Sequence, residues 1–234
     1  MRLDKALSLM GMTRTEAKKA VAGGRVKVAG QPIRDPGFHA ELSDITLDGH
    51  PLNASEELYY MLNKPAGVLT ATEDKHGEPV ALDLLPESVR HRAPGPVGRL
   101  DKDVTGLVIM TTDGQLAHRL ISPRWVVEKV YLAEIEGELS PEDEKRLTEG
   151  VQLKDFVTRP AQVQRRGASL VQLTITEGKF HQVKRMFGAV GHPVVKLKRL
   201  SVGGVPLDES LAEGESRPLT EAEVKHLRAL VDMD

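Results

Sequence analysis

The stretch Gly98 to Leu107, GRLDKDVTGL, collects the residue types that a group-transfer site needs. One carboxylate, Asp101, stands between basic neighbours and close to a glycine that opens an apolar run. LVIM follows almost directly, which puts Asp101 on a turn at the edge of a buried strand. Gly98 and Gly106 leave the backbone free for close approach or unusual dihedrals. Arg99 and Thr105 offer a cation and a hydroxyl to a phosphate or a base. An ordinary polar turn before a core strand has the same local composition, so the rest of the chain has to decide between the two.

The elements around this turn follow from spacing. Leu3, Leu7 and Met10 fall at helical intervals and Gly11 ends the segment. Thr13 and Glu16 form a capping box for a second helix that stops at Gly23-Gly24. Val26 and Val28 alternate, Gly30 turns, and ITLDGHPL runs strand-like to Leu52. Asn53 to Glu57, NASEE, has no apolar periodicity and reads as a linker. The expected organisation is therefore a small domain over 1–52, a linker over 53–57 and a larger domain over 58–234.

In the larger part, LYYMLN begins a core strand and LNKPAG turns at Lys64-Pro65. ALDLLP predicts a short helix stopped by Pro86, and a further helix spans about Gln115 to Ile121. EKVYLAEIEG alternates as a strand, and Ser140-Pro141 starts a helix with proline at its first position. LVQLTI then alternates, turns at Glu177-Gly178 and becomes helical through Val190. Lys184 and Arg185, three and four residues beyond His181, reach that histidine's side of the helix. Strands and helices mix without regular alternation, which argues for an α+β fold.

Composition narrows the function classes. With 40% apolar and 28% charged residues the chain is of the globular type. Zero cysteines exclude disulfides, thiolate catalysis and cysteine-based metal sites. GxxxxGK, HExxH and GxSxG are all absent, and the eight histidines lack ligand spacing. Asp4 interrupts the apolar part of the N-terminus, and no apolar run reaches the roughly 20 residues of a membrane span. A cytoplasmic protein without a membrane contact is expected. The formal net charge of −2 conceals segregation: residues 1–34 hold eight Lys or Arg against Asp4 and Glu16, a net of +6, and residues 170–205 carry a net of +5. Two basic regions on an otherwise acidic chain point to a polyanion, with nucleic acid the obvious candidate.

The N-terminal unit resembles the S4-type RNA-binding domain in RLDKAL, TRTEAKKAV and GGRVKVAGQPI. LNKPAG, VGRLDKDVTGL and EGKFHQVKRMF, with KVYL before the last, resemble the motifs of the RNA pseudouridine synthases. The match is best to the RsuA type, the 16S rRNA synthases in which an S4-type domain precedes the catalytic domain. It runs from RLDKAL to SRPLTEAEV, without departure at the motif positions.

This resemblance implies a catalytic domain with a mixed, largely antiparallel sheet flanked by helices. Its activity would be conversion of a uridine to pseudouridine in 16S ribosomal RNA, within an assembling small-subunit particle and with no obligate protein partner. Such an isomerisation requires no metal and no cofactor. Carried over by motif, Asp101 is the essential carboxylate, acting as nucleophile or as base at the ribose. Tyr131 stacks on the target base, and Lys184 pairs with Asp101, since a cation within reach favours the charged form of a carboxylate.

Arg99 helps hold the nucleotide out of its stack, Arg185 contacts phosphate and Thr105 offers its hydroxyl. Arg2, Lys5, Arg14, Lys18 and Arg25 form the RNA surface of the first domain. Asn63, Lys64 and Pro65 shape the turn that supports Asp101. Three alternatives stand beside this reading: a 23S rRNA synthase of the same branch, a non-catalytic RNA-binding ribosome assembly factor, and a carboxylate-pair glycosidase, for which Asp103 is too near Asp101 in sequence to be an obvious partner.

Overall fold

The computed structural model describes residues 1–9, 12, 14–52 and 57–233. The helix position of Met10, the stop at Gly11, the capping role of Thr13 and most of the linker, Asn53 to Glu56, lie outside the described residues. The chain forms two compact units, residues 1–57 with 87–93, and residues 58–86 with 94–234.

The first unit begins with helices α1 (Leu3–Leu9) and α2 (Arg14–Ala22), followed by strands β1 (Val26–Val28), β2 (Gln31–Pro32), β3 (Ile45–Leu47) and β4 (His50–Pro51). The strands pair antiparallel in the order β2-β1-β3-β4. Helical spacing brings Leu3, Ala6, Leu7, Ala17, Ala20 and Val21 onto one core with Val26, Ile45 and Leu52. ITLDGHPL is two strands rather than one, because Asp48 and Gly49 both adopt positive φ, 51° and 85°, and turn the chain back on itself. Segment 87–93 carries one helical turn, α3 (Glu87–Arg90).

The second unit is built on nine paired strands. They are β5 (Tyr59–Lys64), β6 (Gly95–Pro96), β7 (Thr105–Thr111), β8 (Lys129–Ile135), β9 (Gln162–Arg165), β10 (Leu170–Ile175), β11 (Val194–Val202), β12 (Val205–Pro206) and β13 (Ser216–Pro218). The main path runs β13-β5-β7-β11-β8-β10-β9, with β12 on β11 and β6 on β7. Among the described strands only β7 and β11 pair parallel, so the sheet is mixed and largely antiparallel.

Four helices complete the unit: α4 (Gly114–Ile121), α5 (Pro141–Glu149), α6 (Gln182–Ala189) and α7 (Glu221–Leu230). Leu116, Leu120, Leu227 and Val231 pack against Met61, Leu107 and Ile109 of the sheet. Ser140 caps α5 by accepting from the Asp143 amide at 3.1 Å, with Pro141 first in the helix. ALDLLP is a 3-10 turn over Ala81–Leu84 rather than an α-helix, capped by the Asp83 carboxylate on the Val80 amide. Among the described residues no helix is long and apolar enough to cross a membrane.

Candidate active site

The short parallel pairing of β7 with β11 sets the position of the turn that carries Asp101. Lys198 lies opposite Thr105 and Arg199 opposite Gly106. Gly106 has φ 103°, and a Cβ there would stand 2.3 Å from the Arg199 carbonyl oxygen. The strands meet this closely because the position has no side chain. Arg199, 2% exposed, closes the junction by donating from Nε to the Leu107 carbonyl at 2.8 Å. Gly98 at the other end of the motif also has a positive φ, 74°.

Asp101 itself is framed through the backbones of its neighbours. The Thr70 hydroxyl donates to the Leu100 carbonyl at 2.8 Å and accepts from the Leu100 amide at 3.2 Å. On the other side, the Lys102 carbonyl accepts from the Gly67 amide at 2.8 Å and from Lys64 Nζ at 3.2 Å. Lys64 is fully buried, and its ammonium also donates to the Pro65 and Val68 carbonyls, each at 2.8 Å. Burial lowers its pKa to about 8, opposed by the negative charges of Asp103, Asp101 and Glu213. Asn63, 2% exposed, ties β5 to a distant loop by donating to the Leu211 carbonyl at 2.8 Å. LNKPAG therefore shapes the Asp101 turn.

Asp101 opens into a cavity of about 60 Å³ whose lining includes Arg99, Val104, Tyr131, His181 and Lys184. Lys184 Nζ lies 3.4 Å from Asp101 Oδ2, and His181 Nε2 lies 3.4 Å from Oδ1. The closer partner of Lys184 is Asp103, at 2.7 and 2.8 Å. That cation holds the Asp103 carboxyl below the usual carboxylate range, chiefly through the hydrogen bond. Tyr131, 7% exposed, enters from β8, between Leu173 of β10 and Arg199 of β11. Beside it on β8, Lys129 is held to a pKa of about 8, first by burial and then by the charge of Arg199.

The turn before α6 is held by its own motif. Gln182, 3% exposed, accepts from the Lys179 amide at 2.9 Å and donates to Glu177 Oε1 at 2.6 Å, which also accepts from the Arg159 amide. His181 adopts the left-handed conformation at φ 50°, a costly choice for a side-chain-bearing residue that the surrounding bonds enforce.

Other sequence-predicted residues fall elsewhere. Arg99 is exposed on the cavity lining. Thr105 opens β7 outside the lining, where Val104 takes its place. Arg185 points to Asp155, with Nη1 3.5 Å from Oδ2 and its guanidinium 5.3 Å from the Phe156 ring centre, so its charge is already engaged. In the first unit Arg2, Lys5, Arg14 and Lys18 surround a depression of about 480 Å³ with Asp4. Arg25 is not among them and instead binds Asp48 through Nε at 2.9 Å. Sequence reasoning used His181 to place Lys184 and Arg185 but gave it no role of its own, and it passed over Gln182 and Lys129. Only the position of His181 in EGKFHQVKRMF could have signalled it, since the lock between Gln182 and Glu177 depends on the folded turn.

Comparisons with known proteins identify the family to which the chain belongs. The RNA pseudouridylate synthase family matches residues 58–189, and the S4 domain family matches residues 1–45. An uncharacterized RNA pseudouridine synthase of Bacillus subtilis, YtzG, is 46% identical over 232 residues, covering 96% of this chain and 97% of that protein. The ribosomal small subunit pseudouridine synthase A of Escherichia coli K12 is 44% identical over 230 residues, 96% of this chain and 98% of that one. A crystal structure of a pseudouridylate synthase superposes with a TM-score of 0.70 at 37% identity, covering 97% of this chain and 99% of its own. The chain thus belongs to the RNA pseudouridine synthases, isomerases of uridine in RNA, and carries an S4 domain at its N-terminus.

Proposed function

We propose that this enzyme converts a specific uridine of 16S ribosomal RNA to pseudouridine, acting on an assembling small-subunit particle. The observation that carries the chemistry is the convergence of Asp101, Tyr131 and Lys184 on one cavity. The 16S target draws its support from the 44% identity to the Escherichia coli small-subunit enzyme.

In the reaction the bond between N1 and the ribose breaks, the uracil turns in the cavity, and a bond forms from C5 to the same ribose carbon. The proton lost at C5 is matched by one gained at N1, so nothing is consumed. Asp101 acts on the base or at the ribose as nucleophile or base. Lys184 keeps a positive charge within 3.4 Å of it. Tyr131 stacks on the uracil and assists removal of the C5 proton. Arg99, exposed at the rim, holds the target nucleotide out of its stack. Residues 1–52 hold the RNA through Arg2, Lys5, Arg14 and Lys18, while residues 58–234 carry the chemistry.

The test is incubation with unmodified 16S and 23S rRNA, each free and as ribonucleoprotein, followed by mapping of new pseudouridines. One new site in 16S rRNA is expected. A site found only in 23S rRNA would overturn the target.

A further inference from the structure

Among the described residues Phe180 is the most exposed large apolar side chain, at 77%. It is also firmly presented. The Gln182 side chain grips Glu177 and the Lys179 amide on either side of the turn, and Arg185 Nη1 donates to the Phe180 carbonyl at 3.4 Å. One face of the ring stacks on His181, with centres 3.8 Å apart and planes 18° apart. His181 in turn reaches Asp101. An aromatic pair therefore extends from the carboxylate toward solvent.

The surroundings indicate what the open ring surface meets. Lys179 and His181, on either side of Phe180, both line the cavity, and Arg99 lines it as well. An aromatic face beside the cations Lys179 and Arg99 at the rim of the Asp101 cavity is suited to a polyanion whose repeating units carry flat rings. Turning a uridine into the site also strips its neighbour of a stacking partner, which costs a few kcal/mol unless another ring replaces it.

We propose that Phe180, backed by His181 at the rim of the Asp101 cavity, is the stacking platform for the nucleobase adjacent to the target uridine in the RNA strand. This rests on RNA being the substrate, and it is independent of which RNA is modified.

The experiment compares the whole protein with its Phe180→Ala and Phe180→Trp variants at one fixed salt concentration. The probes are a short oligoadenylate RNA and an abasic sugar-phosphate chain of the same length, with a thermal melt confirming that each variant is folded. Phe180→Ala is expected to weaken oligoadenylate binding by about 5- to 150-fold, the loss of one base stack worth about 1–3 kcal/mol. Affinity for the abasic chain should stay unchanged, and Phe180→Trp should restore the oligoadenylate affinity. An equal loss on both probes, no loss on either, or a tryptophan variant as weak as the alanine one would overturn the platform. Neither probe derives from 16S rRNA, so failure of the 16S assignment and failure of this inference are read separately.

Discussion

Lys184 binds Asp103 more closely than it binds Asp101. Its Nζ stands 2.7 and 2.8 Å from the two oxygens of Asp103 and 3.4 Å from Asp101 Oδ2. Asp103 is largely exposed, with 74% of its side chain in solvent, whereas Asp101 is 27% exposed. The outer carboxylate therefore moors the ammonium while the inner one feels its field. Lys184→Met should lower the single-turnover rate on the order of 10²-fold, as removal of one positioned charge commonly does. Lys184→Arg should retain more activity, and Asp103→Asn should stay within about tenfold of the parent, because a solvated pair contributes little. An Asp103→Asn loss as deep as that of Lys184→Met would show that the mooring itself is essential.

Gly106→Ala tests the junction of β7 with β11. The added methyl would stand 2.3 Å from the Arg199 carbonyl at a φ of 103°, so overpacking and backbone strain combine to a loss of about 3 kcal/mol or more. Denaturant unfolding measures it. A change below about 1 kcal/mol would mean that the strands separate readily and that Gly106 does not set the Asp101 turn.

What was legible in the sequence was local. Gly98, Gly106 and Ser140-Pro141 each state a backbone requirement within a few residues, and the structure meets each one. The turn expected at Lys64-Pro65 instead falls two residues later, at Ala66-Gly67, where Gly67 supplies the positive φ of 85° and Lys64 still belongs to β5. What was not legible was pairing across distance. Arg185 is drawn to Asp155 and Arg25 to Asp48, contacts spanning 30 and 23 residues, so neither was recognisable as an engaged cation. Lys184 was expected beside Asp101 and is beside it, but its nearer partner Asp103 emerges only once the turn has folded. The strand-like ITLDGHPL carried its own correction in Asp48-Gly49, a hairpin signal that alternation alone overrides.

Lys64 gives a pH dependence with a definite sign. Its pKa is about 8 in the folded chain against 10.5 ordinarily, so between those values the unfolded chain holds the extra proton. Stability contributed at this site therefore rises as pH climbs from about 8 to about 10.5. Lys64→Met lacks that titration and leaves the Pro65, Val68 and Lys102 carbonyls short of a donor, at about 1–3 kcal/mol for each one fully unsatisfied. Unfolding of parent and variant is compared at both ends of the window. The gap between them should widen at the alkaline end; a constant gap would contradict the buried, shifted ammonium.

For the first unit, Lys5→Ala, Arg14→Ala and Lys18→Ala each remove one cation from the same depression. Each should reduce the slope of log affinity against log salt by about 0.7 to 0.9 on ribosomal RNA. Arg25→Ala removes a cation already bound to Asp48, and a smaller effect is expected. Equal slopes for Arg14→Ala and the parent would remove that depression from the RNA surface.

The most direct measurement is single-turnover pseudouridine formation by Asp101→Asn, beside the RNA affinity of the same variant at fixed salt. Asparagine keeps the shape of the side chain but can neither attack carbon nor accept a proton near neutral pH. Conversion should fall by about 10⁴-fold or more, as for other residues in this role. Affinity should change by less than about threefold, because the RNA-facing cations remain in place. Conversion at near the parent rate would show that Asp101 is not the catalytic group and that the site built on GRLDKDVTGL is wrongly assigned.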